Sequence, residues 1–120
     1  MFQEDYVLRQ IEMIVMILAR LLYGKNVSEY TIQDETAWTA SDELYMRLYQ
    51  MLEEGKINEA ENLLYEEMDT GNMQDLKVAL GFYSKLKGYD DAFLEAHDYS
   101  REEIKEGLEN IAEQFGINLQ

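Results

Sequence analysis

Cysteine is absent from this chain of 120 residues, which excludes disulfide bonds, thiolate metal sites and a cysteine nucleophile. Proline is absent as well, and histidine occurs once. Basic residues are few: ten Lys and Arg stand against 25 Asp and Glu, so the formal net charge is −15. That charge repels phosphate backbones and anionic lipid, and we therefore expect neither nucleic acid nor a membrane as a partner. An acidic surface serves solubility, or it recruits a basic partner.

A long hydrophobic run is missing too. The longest uninterrupted apolar run is Met13–Ala19, whereas a membrane-spanning helix needs about 20 apolar residues. The first residues, MFQEDY, are acidic where a secretory signal peptide would be basic. We therefore expect a soluble cytoplasmic protein. Its length and its hydrophobic content of 47% predict a single domain, 1–120, with one core.

The most apolar stretch, Asp5–Tyr23, predicts a long N-terminal helix that Gly24 ends, so that the helical segment covers residues 1–24. Its apolar arc covers roughly 200° around the helix axis, whereas one core-facing stripe needs only about 100°. We therefore expect cover on two sides, from the helices behind it and from a second copy of the protein. The predicted dimer contact consists of Val7, Ile11, Ile14, Leu18 and Leu21.

The next segment, residues 25–41, is predicted to be a loop because it is rich in Ser, Thr, Asn and Asp and has no helical period. Within it, Tyr30 and Ile32 alternate like a short edge strand. We expect the large ring of Trp38 to pin this loop onto the helices.

The remaining segment, residues 42–116, is predicted to be helical, which makes the protein all-α with five to six helices. Its predicted N-caps are Ser41, Asn58 and Ser100, the last two in capping boxes with Glu61 and Glu103. Gly81 falls in the middle of the fourth helix, where glycine costs about 1 kcal/mol relative to alanine. This position predicts a close crossing with a neighbouring helix.

Two stretches of the helical segment have similar sequences, a similarity that we call the sequence echo. Leu48-Tyr49-x-x-Leu52 matches Phe82-Tyr83-x-x-Leu86 at an offset of 34 residues (82 minus 48), and the helices that follow match at 32 (92 minus 60). A helix pair that recurs near 34 residues has the period of a tetratricopeptide repeat. The small residues Ala60 and Ala92 are predicted to lie at two equivalent helix crossings.

The turn Gly55-Lys56-Ile57-Asn58-Glu59-Ala60 resembles the inter-helix turn of the tetratricopeptide family. Leu48 and Glu67 stand where that family usually has small residues, and its closing proline is missing. The chain is therefore similar to a tetratricopeptide helical hairpin, over about one and a half repeats with degenerate ends.

Over nearly its whole length the chain also resembles a family of small uncharacterised proteins from Gram-positive bacteria, a domain of unknown function. The stretches that carry this resemblance are MFQEDY and the helix after it, Asp42–Tyr45, Gly55–Leu64, Phe82–Leu86 and Ser100–Leu108. The resemblance implies a shared fold and no function.

The tetratricopeptide resemblance implies a concave groove lined by the first helix of each pair, and the fourth helix is in that position. The predicted groove residues are Tyr45, Tyr49, Lys77 and Lys85. Lysines and tyrosines in a groove could hold an acidic peptide or a C-terminal carboxylate. Lys85 also has a structural reason for its place, because the helix dipole favours bases near a helix C-terminus.

Signs of catalysis are few. His97 could act as a base or a metal ligand with Glu95 or Asp98, although the dipole also favours a histidine at a helix C-terminus. The acidic clusters lack the spacing of a calcium loop, and no glycine-rich phosphate loop is present. We therefore expect no catalytic residues, no bound metal and no cofactor.

These patterns favour a non-enzymatic helical-repeat interaction module that self-associates, as a homodimer, and offers a groove to a peptide or protein. The alternative is a purely structural homo-oligomer without an external ligand. An enzyme that uses His97 and carboxylates is the third hypothesis.

Overall fold

Six helices and no strand are found in the computed structural model, which describes residues 2–24, 28–33 and 36–119, with side chains from residue 6 onward. The helices are α1 Phe2–Tyr23, α2 Ala40–Glu53, α3 Ile57–Glu67, α4 Met73–Gly88, α5 Asp91–Ala96 and α6 Arg101–Gln114. The described chain is therefore all-α, as predicted. Tyr30 and Ile32 form no strand, and residues 25–27 and 34–35 of the predicted loop lie outside the described residues.

The core is built around α4, which packs against α1, α2 and α6. Residues 78–83 of this helix are all buried, because neighbours cover both sides of it. The sequence predicts this position, because the helix has two apolar stripes: Leu76, Leu80 and Tyr83 on one side, and Val78, Phe82 and Leu86 on the other. Burial of each large apolar side chain stabilises the fold by about 1.5–3 kcal/mol.

α1 lies with one side on α4 and α6. Val7, Ile11, Ile14 and Leu18, four of the five residues of the predicted dimer contact, are buried in the core of the single chain. This corrects the predicted contact, since side chains that the core already covers present no surface to a second copy. The width of the apolar arc is visible in the sequence, but which side of it faces α4 and α6 is not. None of the helices in the described residues is long and apolar enough to cross a membrane.

The start of α2 differs from the prediction. Thr39 is the N-cap, and its side chain and that of Asp42 form a capping box. Ser41, the predicted cap, is buried instead and donates a hydrogen bond to Oδ1 of Asp75, 2.5 Å away on α4. The helix begins earlier because Thr39 and Asp42 have the three-residue spacing that a capping box requires.

The predicted cap of α3 is also wrong. The N-cap is Lys56, which makes no side-chain capping bond, and the helix begins at Ile57. The Asn58 amide donates to the backbone carbonyl of Asp98 at 3.2 Å. Glu61 accepts hydrogen bonds from Tyr83 and Tyr99. Asn58 and Glu61 therefore join distant regions of the chain and do not cap α3.

The segment 28–33 is held by Tyr30, which is buried. Trp38 is 46% exposed, and its indole Nε1 donates to Glu43 Oε2 on α2 at 3.0 Å, so it joins its part of the loop to that helix. The Tyr30 hydroxyl donates to Asp42 Oδ1 at 2.6 Å, and this bond holds the pKa of the Asp42 carboxyl below its usual value. Tyr30 also explains Gly81: a Cβ added there would lie 3.1 Å from Tyr30 Cβ but at an ordinary contact distance of 3.5 Å from Tyr45 on α2, so this glycine makes room for the loop more than for a helix crossing.

The two alanines of the sequence echo are not equivalent. Ala60 is fully buried, whereas Ala92 is exposed. The reason is that α5 has only six residues and buries one of them, Leu94. The second helix pair is therefore not a copy of the first.

Candidate interaction surfaces

The side of α1 that faces away from the core carries a row of exposed residues, which we call the outer face of α1: Tyr6, Arg9, Met13, Met16 and Arg20. Tyr6 and Met13 are 62% and 53% exposed. The steps along this row are three, four, three and four residues (6, 9, 13, 16, 20), so all five side chains lie on one side of the helix.

Exposed apolar surface is concentrated on this helix. Of the eight large hydrophobic residues that are exposed among the described residues, four belong to α1. One of them is Leu21, the remaining residue of the predicted dimer contact, which lies about 100° from Arg20 around the axis. Among the side chains that the structure describes, the charged residues on this side are Arg9, Arg20 and Glu12, so the outer face carries both signs although the protein carries −15.

Three of the four predicted groove residues, Tyr45, Tyr49 and Lys85, lie close together between α2 and α4, and Lys77 lies about two turns before Lys85 on α4. We call these four residues the tyrosine–lysine surface. The rings of Tyr45 and Tyr49 are neighbours, with centroids 6.2 Å apart. The Lys85 ammonium lies 4.4 Å from the Tyr49 centroid and 3.6 Å from a Glu53 carboxylate oxygen. It also lies 5.5 Å from the Tyr89 centroid, and ring faces attract a cation at such distances.

The other end of this surface joins it to α1 and the loop. The Lys77 ammonium lies 4.9 Å from the ring centroid of Tyr23, at the end of α1. Tyr30 stacks on Tyr45 with centroids 4.7 Å apart. Burial raises the pKa of Tyr23 and of Tyr45, so both hydroxyls are neutral at physiological pH. The surface therefore offers aromatic rings and two lysine ammonium groups.

A buried cluster of hydroxyls around Glu61 was not predicted. Tyr83 and Tyr99 both donate to Glu61 Oε2, at 2.5 and 2.9 Å. The Tyr65 hydroxyl lies 3.1 Å from that of Tyr83. Burial raises the pKa of Tyr83 and of Tyr99, and the charge of Glu61 raises both further. These hydrogen bonds join α3 and α4 to Tyr99, which lies just before the N-cap of α6.

Two cavities lie away from these surfaces. One, of about 400 Å³, is lined by residues of α1, α5 and the start of α6. The other, of about 430 Å³, lies between α3 and α6 beside Glu61, Glu103 and Glu106. Among the described residues, no group of three His, Asp or Glu side chains is placed to hold a metal ion.

The His97 side chain makes its contacts inside the fold. Its Nδ1 donates to the backbone carbonyl of Phe93 at 2.8 Å. Its ring covers Gly55, where an added Cβ would lie 2.4 Å from Nε2. His97 therefore closes the junction between α2 and α5.

The chain matches a family model over residues 1–116 of its 120, a family described as one of unknown function, DUF6483. The protein belongs to this family. No curated protein and no solved structure matches the chain. The predicted resemblance to a family of unknown function is thereby confirmed, whereas the tetratricopeptide likeness and the Gram-positive origin stay predictions.

Proposed function

We propose that the protein is a non-enzymatic interaction module that self-associates as a homodimer through the outer face of α1. The observation that carries this proposal is the row of exposed apolar side chains on a protein that is otherwise strongly acidic. Met13 and Met16 lie at the centre of the row, and Tyr6 lies at one end. Removing apolar surface from water is favourable by roughly 25 cal/mol per Å².

A second copy suits this face for an electrostatic reason. Most of the protein surface would repel an identical copy, because 25 acids face ten bases. Among its described side chains the outer face of α1 carries two arginines and one flanking glutamate, so two such faces meet with less of that repulsion. α1 has 22 residues and is about 33 Å long, and one helix pair buries less than the roughly 800 Å² per partner of a standard interface. We therefore expect a dimer that dissociates at micromolar concentration.

Met13→Glu is expected to abolish the dimer and to leave the fold intact, since Met13 is exposed in the single chain and a charge would be buried only in the dimer. Light scattering on a size-exclusion column, from low to high micromolar protein, measures the mass. The matched control is Met46→Glu, which makes the same change at an exposed position of α2.

The proposal fails if the wild-type protein stays monomeric at high micromolar concentration, or if Met46→Glu dissociates the dimer as fully as Met13→Glu. Ile14→Glu should behave differently from both variants. Ile14 is buried against the core, so this change is expected to unfold the protein. Circular dichroism separates that outcome from dissociation of a folded dimer.

A second function, binding of an acidic peptide at the tyrosine–lysine surface, is supported by the proximity of three predicted groove residues, Tyr45, Tyr49 and Lys85. Tyr49 is exposed there, and the Lys85 ammonium lies over its ring. An incoming carboxylate would replace Glu53 beside Lys85, while an apolar side chain would lie on the Tyr49 ring. Under the tetratricopeptide hypothesis this surface is the groove.

A short synthetic peptide of Glu and Phe, with a free C-terminal carboxylate, is expected to shift the backbone NMR signals of Tyr49 and Lys85. Lys85→Met should weaken the binding, because it keeps the apolar stem and removes the charge. Lys87→Met is the control, a base on the same helix for which no ring contact is found in the described residues. A dimer that binds no such peptide would instead favour the purely structural homo-oligomer.

A further inference from the structure

We infer that the two α1 helices of the dimer pair antiparallel, with Arg9 of one copy against Met13 of the other. This inference rests on the proposed self-association and specifies its geometry. It follows from where the outer face of α1 carries its charges and its apolar side chains.

The outer face has the spacing of a helix-pairing seam. Alternating steps of three and four residues keep side chains on one line along a helix, and such a line packs between the side chains of a partner helix. In this seam Tyr6, Met13 and Arg20 occupy one set of equivalent positions, seven residues apart, and Arg9 and Met16 occupy the other. The buried residues of α1 lie on the opposite side, against α4 and α6.

A parallel pair is unfavourable because every seam residue then faces itself. Arg9 would lie against Arg9 of the second copy, and Arg20 against Arg20. Two pairs of like charges at a helix interface repel each other, and the two helix dipoles would also be parallel. An antiparallel pair avoids both effects, since the C-terminal end of each helix, where Arg20 lies, meets the N-terminal end of the other.

Two antiparallel registers bring the two seams together, and the charges distinguish them. In one register Met13 faces Met16 of the second copy, and Arg9 then faces Arg20. A shift by seven residues removes this repulsion: Arg9 faces Met13, and Tyr6 faces Met16. In the second register the Arg9 guanidinium group reaches water beyond an apolar stem that lies against Met13, and the Met16 sulfur lies near the Tyr6 ring.

Disulfide trapping tests this arrangement directly, because the wild-type chain has no cysteine. A disulfide requires two Cα atoms within about 4.4–6.8 Å of each other. Tyr6→Cys and Met16→Cys proteins are mixed and mildly oxidised, and the products are identified by intact mass. We expect the mixed dimer as the main linked product and little self-linked Tyr6→Cys protein. The same mixture in urea gives the linking rate of unfolded chains.

Three other results would overturn the inference. Rapid self-linking of Tyr6→Cys indicates a parallel pair. Linking of Arg9→Cys with Arg20→Cys indicates the other register. If light scattering shows a dimer, but neither the pair Tyr6→Cys and Met16→Cys nor the pair Arg9→Cys and Met13→Cys links faster than in urea, the interface lies elsewhere. A monomer in light scattering refutes the proposed self-association itself, so the two failures are distinguishable.

Discussion

Replacing Gly107 by alanine is expected to lower the free energy of unfolding by about 2–3 kcal/mol, although alanine is the better helix former. Gly107 lies on α6 where this helix crosses α4, and a Cβ added there would lie 2.4 Å from ring atoms of Tyr83. Carbon atoms in contact are normally about 3.5–4 Å apart, so either the ring or the helix has to move.

The Tyr83 ring has little freedom to move. It is fully buried and packs edge-on against Phe82, with centroids 5.0 Å apart. Its hydroxyl donates to Glu61, which also accepts from Tyr99. A shift of the ring therefore weakens a charge-assisted hydrogen bond, of the kind that contributes about 1.5–3 kcal/mol, in addition to the overpacking.

The measurement is urea unfolding of wild type and variant, followed by circular dichroism, and Gly88→Ala is the matched control. Gly88 is exposed near the end of α4, its φ is not positive, and an added Cβ has no neighbour within 4 Å. This control should leave the stability unchanged or raise it by up to about 1 kcal/mol. Equal effects of the two alanines would contradict the close crossing at Gly107.

The glycines after the helices and the capping box of α6 are predicted correctly because their signals are local, whereas the starts of α2 and α3 are not. Ser100 and Glu103 form the predicted capping box of α6. Gly24, Gly55 and Gly116 follow α1, α2 and α6 with positive φ, the backbone conformation that glycine adopts without strain. Each of these features depends on residues within one turn of the helix end, so the sequence contains all the information that is needed.

Contacts between distant residues are not predicted in this way. The glycine that allows a close helix crossing is Gly107, not Gly81, because Tyr30 fills the space over Gly81. Nothing local in the sequence relates residue 30 to residue 81. The cluster around Glu61 is similar: a glutamate three residues after Asn58 fits a capping box, but Tyr83 and Tyr99 lie close to it only in the folded chain.

The two candidate surfaces also differ in how far the sequence predicts them. The tyrosine–lysine surface could be predicted because an antiparallel helix pair followed by α4 brings Tyr45, Tyr49 and Lys85 to neighbouring positions. For the proposed dimer contact, the sequence does not tell which side of α1 the core covers. An apolar arc of roughly 200° predicts two covered sides, but Met13 and Ile14 are adjacent in sequence and only the packing on α4 and α6 decides which is buried.

The sequence echo leads to a prediction in which the structure and the repeat hypothesis disagree. Ala60→Leu is expected to lower the free energy of unfolding by about 1–3 kcal/mol, because Ala60 is fully buried where α3 packs on α2 and a larger side chain has no space. Ala92→Leu is expected to stay within about 0.5 kcal/mol of wild type, the usual range for surface substitutions. Exact repeats would give equal effects.

Urea unfolding of both variants decides between the two expectations, and each variant is the control of the other because the chemical change is identical. Equal destabilisation would mean that α5 packs as α3 does and that the 34-residue echo reflects a true second repeat. The expected asymmetry has a functional consequence. With Ala92 on the surface and α5 only six residues long, a second hairpin cannot extend a groove beyond α2 and α4. Any peptide that the protein binds at this side would then have to be held by the few residues around Tyr49 and Lys85.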